Sequence, residues 1–148
     1  MRVLLDTNVL ISHLLSPQRE SPVNHILEAA FLGKIDLLFP EEIFAELRQK
    51  MPQKPYLAER ISPQQVEDLI AILAEISEGI PTITIEIPAV TRDPKDDYLI
   101  AYALVGRADY LVTGDADLLI LEKVEDVEIV TPRELWQCIA SGEISSRP

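Results

Sequence analysis

Cysteine and histidine are scarce in this chain, which has one cysteine (Cys138) and two histidines among 148 residues. A single cysteine excludes an intramolecular disulfide and a thiolate metal cluster, and it fits a reducing compartment. His13 and His25 are isolated in the sequence, and we expect each at the surface or at a boundary position rather than as a ligand. Any metal site must therefore be built from oxygen atoms.

Positive charge is also scarce. The chain has 13 Lys and Arg residues against 25 Asp and Glu residues, which gives a formal net charge of −12. This balance argues against broad, nonspecific attraction to nucleic acid. A nucleic-acid substrate would have to be recruited locally, by bound cations or by a basic patch.

Long hydrophobic runs are missing. The apolar start MRVLLDTNVLI is interrupted by Asp6 and Asn8, so it is too short and too broken for a signal peptide or a membrane span. We therefore expect a cytoplasmic protein without a membrane association. The absence of repeats, low-complexity tracts and linker-like stretches predicts a single domain over residues 1–148.

Short apolar runs alternate with helical patterns along the chain. Strands are predicted at 3–5, 37–39, 82–87, 110–112 and 128–130. Helices are predicted at 23–33, 40–51, 62–79, 94–106 and 118–122, and after Thr131. Strands that are apolar on both faces indicate a central parallel sheet covered by helices on both sides, which is a three-layer α/β/α sandwich. Ligands of such folds bind at the carboxyl ends of the strands.

Asp6 and Asp115 each follow an apolar strand directly, so both are expected at that edge. Asp6 could simply cap the next helix, but Thr7 and Asn8 can also cap it, which leaves Asp6 available for chemistry. Asp115 and Asp117 alternate after a glycine that permits a sharp turn, and both carboxylates could point into one cavity. Either of them could instead cap the short helix that follows.

Asp97 falls on one helical stripe with Ile100, Ala101 and Leu104, so it is expected to face the interior. Asp96 points away from that stripe and is expected to be a solvated surface charge. A carboxylate that faces a core is costly unless a cation compensates it. The alternative is that the helix N-terminus stabilises Asp97.

Glu46 lies at the edge of the apolar face of its helix, and by itself it is typical of an ordinary boundary residue. Together, these acids offer only oxygen ligands, which suits Mg²⁺ or Mn²⁺ rather than Zn²⁺. Clustered carboxylates repel one another and would partly protonate without a metal. With a divalent ion they could activate water and clamp a phosphate oxygen.

The motifs LLDTNVLI, Glu-Leu on a helix and DDYLIAYALVGRADYLVTGDADLL occur in an order that resembles the PIN-domain family. The closest resemblance is to its VapC-like branch, the bacterial toxins of toxin–antitoxin pairs. It covers nearly the whole chain, although residues 51–88 carry no signature. The resemblance implies an α/β/α sandwich with Mg²⁺- or Mn²⁺-dependent endoribonuclease activity on RNA. It also implies an antitoxin partner and assembly into a homodimer or a larger homo-oligomer.

The resemblance also assigns residues by their positions in these motifs. The implied catalytic and metal-binding acids are Asp6, Glu46, Asp97 and Asp115, with Asp117 as a further metal ligand and Asn8 and Thr113 as polar supports. The helix of Glu46 begins Pro-Glu-Glu, where family members often have a serine. Glu42, one turn before Glu46, could therefore take its place.

Other functions fit the sequence less well. A haloacid-dehalogenase-like phosphatase needs a second acid at position 8, which is Asn8. A receiver domain needs more acids at the first strand and a lysine after a late strand, whereas Lys123 follows a short helix. There is no nucleotide-binding loop of the Walker type. The remaining alternative is a catalytically inactive PIN-like module that binds RNA or protein.

The segment 48–60 holds four of the thirteen basic residues and one acid. Its side chains predicted to bind RNA phosphates are Lys50, Lys54 and Arg60. Tyr56 could stack on an unpaired base, and Arg92 and Lys95 could assist from the helix of Asp97. The alternative is a solvated, proline-interrupted loop or a docking surface for an antitoxin.

Overall fold

The computed structural model describes residues 1–15, 20–84, 87 and 94–142, and for residues 50–52, 94 and 95 it describes the backbone alone. The strands are β1 (Arg2–Leu5), β2 (Asp36–Pro40), β3 (Ser77–Ile80), β4 (Tyr110–Val112), β5 (Lys123–Val124) and β6 (Val127–Val130). The helices are α1 (Thr7–Leu15), α2 (Pro22–Phe31), α3 (Glu41–Gln53), α4 (Pro55–Arg60), α5 (Pro63–Ile76), α6 (Pro94–Val105), α7 (Ala116–Leu119) and α8 (Pro132–Ser141).

The six strands form one sheet in the order β3-β2-β1-β4-β6-β5. All neighbouring strands are parallel except β5, which pairs with β6 in the antiparallel direction. Strand β1 lies near the centre, between β2 and β4, so its carboxyl end is surrounded by other elements. The predicted α/β fold with a central parallel sheet is confirmed, apart from the antiparallel edge strand β5.

Both faces of the sheet are buried. Val3 and Leu5 of β1 belong to one apolar cluster, which also contains side chains of α2, α3, α5 and α8. Leu4, between them, belongs to a second cluster on the other face, with side chains of α6 and α7. This alternation follows from the two-residue period of a strand, and it explains why the strands are continuously apolar.

Local signals set the starts of two helices as predicted. The Ser62 hydroxyl accepts a hydrogen bond from the Gln65 backbone N–H at 3.1 Å, and Thr131 does the same for Glu134 at 3.1 Å. In both cases the glutamine or glutamate side chain accepts in return from the cap backbone, which forms a capping box. A proline, which needs no N–H partner, follows each cap.

The predicted strand at 82–87 is wrong for the described residues 82–84, which form no strand. The edge strand is β3, and α5 ends at Ile76 rather than continuing to residue 79. The backbone becomes extended at Ser77 and pairs with β2, with Phe39 opposite Gly79. Pairing with the sheet therefore overrides the local helical pattern at these positions. Residues 85 and 86 lie outside the described residues.

Three smaller differences concern short elements. Residues 48–53 continue α3 and residues 55–60 form α4, where a proline-interrupted loop was one expectation. The helix predicted at 118–122 begins at Ala116 and ends at Leu119. The antiparallel strand β5 was not predicted, because two residues are too few to show a period.

Helix α6 packs closely on the sheet where it ends. A Cβ atom on Gly106 would lie 2.7 Å from Cδ1 of Ile80 and 3.3 Å from Cδ1 of Leu38. Contacts this short leave no space for a side chain, so glycine permits the approach of α6 to β2 and β3. Among the described residues, no helix combines the length and the apolar character that a bilayer span requires.

His13 on α1 lies at a boundary position, as expected, and its burial lowers the pKa of the imidazole. Its Nδ1 atom is buried and has no hydrogen-bond partner in the part of the chain that the structure describes. Below about pH 6.5, His13 therefore binds a proton more readily in the unfolded chain than in the folded protein. The free energy of unfolding should fall as the pH drops below that value, because protonation of His13 favours the unfolded chain.

We expect His13→Gln to reduce this loss. Urea unfolding at pH 7.5 and 5.5 should show a smaller decrease in the variant than in the wild type, by no more than about 1.4 kcal/mol per pH unit. Equal decreases in the two proteins would contradict the role given to this histidine.

Candidate active site

The carboxyl ends of β1 and β4 carry two adjacent polar residues. Leu5 and Val112 are partners in the parallel register, so Asp6 and Thr113 follow them side by side. The Asp6 backbone N–H donates to the Val112 carbonyl at 2.9 Å, and that of Thr113 donates to the Val130 carbonyl at 3.0 Å. Sheet-like hydrogen bonds therefore hold both residues one position beyond the strands.

A short hydrogen-bond network orients the Asp6 carboxylate. The Thr113 hydroxyl donates to Oδ2 of Asp6 at 2.8 Å and accepts from the Asp115 backbone N–H at 3.0 Å. The Asn8 backbone N–H donates to Oδ1 of Asp6 at 3.2 Å. Asp6 is only 8% exposed and Thr113 is fully buried, so these bonds partly replace the hydration that the carboxylate loses.

The bond from the Asn8 N–H also shows that Asp6 caps the first turn of α1. Thr7 and Asn8 had been expected to make a cap by Asp6 unnecessary. Capping and a place in the site are therefore combined in one side chain. Asp115 combines them too, since it caps α7 and its Oδ1 accepts from the Asp117 backbone N–H at 2.9 Å.

Asp96, which was expected to be a solvated surface charge, is only 8% exposed, so that expectation is wrong. It shares one helical stripe with the buried residues Ile100 and Ala103, four and seven positions later. Asp97 is buried as predicted, with 6% exposed. The sequence pattern predicted that only Asp97 faces the interior, whereas the structure buries both neighbouring acids of α6.

Asp96 meets the acids that follow β4. Carboxylate oxygens of Asp96, Asp115 and Asp117 lie within 4.8 Å of one another, close enough to ligate one cation. Asp96 is buried, Asp115 is half-buried and Asp117 is exposed. This grouping joins α6 to the carboxyl edge of the sheet, and its hard oxygen donors suit Mg²⁺ or Mn²⁺.

A cavity of about 880 Å³ opens at this edge. The acids in its lining are Asp6, Glu42, Glu46, Asp96 and Asp115. Asn8 also lines it, whereas Thr113, Asp97 and Asp117 do not. Tyr98, Leu99 and Tyr102 of α6 also line the cavity, so Asp96 belongs to the stretch of α6 that borders it and Asp97 does not.

Two further residues of the cavity wall were missed or undervalued by the sequence pattern. Glu42 lines the cavity together with Glu46, one turn along α3. Tyr102, which is 2% exposed, forms hydrogen bonds with Glu42 and with the Ile83 backbone N–H, the latter at 3.1 Å. Burial raises the pKa of the Tyr102 phenol, and the hydrogen bond and the charge of Glu42 raise it further. The neutral phenol of Tyr102 therefore holds Glu42 at the cavity wall. The sequence signal that could have indicated this role is a tyrosine within the apolar stripe of α6.

Positive charge is sparse around the cavity. Its described lining contains five acids and one base, Lys54 at the end of α3. Arg60 and Tyr56 are exposed and do not line the cavity. Nearby Arg48 is engaged by Glu67, with Nε 2.7 Å from Oε1. Arg92 and the side chains of Lys50 and Lys95 lie outside what the structure describes.

Comparison with models of protein families identifies the family of this chain. Residues 2–117 match the model of the PIN domain, and the chain belongs to the PIN domain family. A search of curated proteins gave no match.

Among solved structures, the chain is similar to one in the crystal structure of VapBC2 from Rickettsia felis bound to a DNA fragment from their promoter. The TM-score is 0.57 and the identity is 14%, with 87% of this chain and 97% of that chain covered. At this identity the likeness supports the fold.

Proposed function

We propose that the chain is a Mg²⁺- or Mn²⁺-dependent endoribonuclease that hydrolyses phosphodiester bonds of RNA. The observation that carries this proposal is the convergence of Asp6, Glu46, Asp96 and Asp115 on one cavity at the carboxyl edge of a PIN-domain sheet. An acidic cavity would repel an RNA phosphate unless a cation lay between them. The donor set fits a hard divalent cation, and membership of the family supports the nuclease class.

The residues that would hold the ion are Asp96, Asp115 and Asp117, whose carboxylate oxygens lie within 4.8 Å of one another, together with Asp6, which lines the same cavity. When bound, such an ion supplies a water of lowered pKa and a charge that stabilises phosphate oxygens. Thr113 keeps the Asp6 carboxylate in one orientation through its 2.8 Å hydrogen bond. Outer partners of this kind commonly affect metal affinity or activity by ten- to a hundredfold.

The acids of α3 face the same cavity from another element. Glu46 is half-buried there, and its carboxylate would accept a proton from the attacking water. Glu42, which the sequence offered as a substitute for Glu46, lies one turn away and is held by Tyr102, so it would be the alternative proton acceptor. Asp97, assigned to the metal from its motif position, stays a prediction; the cavity lining favours Asp96 for that role.

RNA would be recruited at the cavity mouth by Lys54 and by the bound cation. Phosphate contacts supply most nonspecific affinity for nucleic acids, and the net charge of −12 argues against a broad attraction over the remaining surface. Lys50 and Arg60 remain proposed as weaker, more distant contributors to the same path.

The proposed biological setting is the toxin half of a toxin–antitoxin pair in the cytoplasm. The similar solved chain comes from VapBC2 of Rickettsia felis, a complex bound to promoter DNA, and this supports an antitoxin as the partner. A homodimer or larger homo-oligomer is proposed from the family resemblance. Copurification with the product of the neighbouring gene tests the partnership.

The activity can be tested with a single-stranded RNA substrate. We expect the purified protein to cleave it with Mn²⁺ or Mg²⁺, to stop cleaving after EDTA treatment, and to recover when Mn²⁺ is added back, because the water nucleophile depends on the ion. Asp6→Asn, purified in the same way, controls for contaminating ribonuclease.

Cleavage that persists in EDTA, or that is equal in Asp6→Asn, would contradict the proposal. RNA binding without cleavage under all metal conditions would instead support a catalytically inactive binding module.

A further inference from the structure

Tyr98 differs from the other large apolar side chains on the surface. Those that are exposed among the described residues are Phe31, Leu32, Tyr56, Ile72, Tyr98, Val105 and Ile120. Only Tyr98 of this set lines the cavity of the acids. Its side chain is 46% exposed and belongs to neither of the two apolar clusters of the core. The ring of Tyr98 is therefore not part of the apolar core.

The lining of the cavity contains apolar side chains as well as acids, and several of the apolar ones come from the helix of Tyr98. Tyr102 lies one turn further along α6, on the same helix face, and Ile83 and Leu99 line the cavity beside it. Tyr102 is fixed by its bonds to Glu42 and Ile83 and packs in the core. Ile83, Leu99 and Tyr102 thus pack in the core, whereas the ring of Tyr98 remains accessible from the cavity.

The two kinds of lining side chain suit the two parts of a nucleotide. A phosphate belongs at the carboxylates, where a cation can bridge them, whereas a base is uncharged and presents flat apolar faces. Base–aromatic stacking contributes substantially to single-strand binding, and it tolerates any base. A volume of about 880 Å³ lies within the range of ordinary small-molecule sites, so a nucleotide fits.

We propose that Tyr98 stacks on the base of a nucleotide adjacent to the scissile phosphate and thereby selects single-stranded RNA. This inference rests on the proposed ribonuclease function and deepens it. A base that is paired in a duplex has no free face to offer to Tyr98. Selection for an unpaired base is therefore built into the cavity wall, independently of any basic patch.

The test compares Tyr98→Ala with Tyr98→Phe in kcat/KM for a single-stranded RNA. Removing the ring should lower kcat/KM by about tenfold or more, whereas phenylalanine, which keeps the ring, should stay within about threefold of the wild type. Phe31→Ala removes an exposed aromatic ring that does not line the cavity and should have no effect. Mn²⁺ binding and the melting temperature should be unchanged in Tyr98→Ala, because its side chain is exposed.

A second arm uses RNA in which one base is removed, with the abasic ribose scanned through the cleaved region. At one position the abasic change should cost the wild type about as much as Tyr98→Ala costs on intact RNA. The same change should cost Tyr98→Ala almost nothing more, because both changes remove one interaction.

Additive costs at every position, or a kcat/KM of Tyr98→Ala equal to that of the wild type, would overturn the stacking role while leaving the nuclease proposal intact. Absence of metal-dependent cleavage in the wild type would overturn both.

Discussion

Asp96→Asn should lower the rate of metal-dependent RNA cleavage by roughly a hundredfold or more. Partners that only support a metal ligand commonly contribute ten- to a hundredfold, so loss of a ligand should reach the upper end of that range. Asp96 is the buried member of the acid group with Asp115 and Asp117. Asparagine keeps the size of the side chain and one oxygen but removes the charge, so the variant should fold.

Asp97→Asn is the matched control, since it removes a carboxylate of similar burial from the next position on α6. Its cleavage rate should stay within several-fold of the wild type, because Asp97 does not line the cavity. The motif position of Asp97 predicts the opposite ranking. A large loss in Asp97→Asn with little loss in Asp96→Asn would therefore restore the assignment made from the sequence.

Divalent metal should also stabilise the fold by a measurable amount. At a Mn²⁺ concentration of 100 times its dissociation constant, linkage predicts about 2.7 kcal/mol of added stability. For a domain of this size, that corresponds to a rise in melting temperature of roughly 5–10 °C. Asp6→Asn should lose most of this rise, because Asp6 is a proposed ligand.

Without metal, the wild type should lose its advantage in stability over the variant Asp96→Asn. Asp96→Asn removes one charge from a group of repelling carboxylates, so its melting temperature in EDTA should equal or exceed that of the wild type. A strong loss of stability in EDTA would show that the carboxylate mainly stabilises the first turn of α6. Indifference of the wild type to both Mg²⁺ and Mn²⁺ would contradict a preassembled site.

The central part of the fold could be predicted because each signal was local and strong. Apolar runs marked β1, β2, β4 and β6, and Ser62 and Thr131 marked two helix starts. Asp6 and Asp115 could be placed at the carboxyl edge because each follows an apolar strand, β1 or β4, of the parallel sheet. Their positions in the sequence were enough to predict that they belong to the site.

The remaining features depend on tertiary contacts. Strand β3 exists because residues 77–80 pair with β2, although their sequence continues a helical pattern. Asp96 and Asp97 are adjacent on α6 and both are buried, so the pattern of apolar residues along the helix does not determine which one faces the cavity. Tyr102 and Glu42 meet across two helices, and no sequence spacing connects them. In each case the missing information was the packing partner.

The most direct test of the central claim is a crystal structure of the protein soaked in Mn²⁺, with the ion located by its anomalous scattering. We predict one or more ions in the cavity at the carboxyl edge of β1 and β4, coordinated directly by carboxylate oxygens of Asp6, Asp96 and Asp115. A Mn²⁺ ion bound at Asp97 away from the cavity, or a cavity that stays without metal at saturating Mn²⁺, would contradict the account.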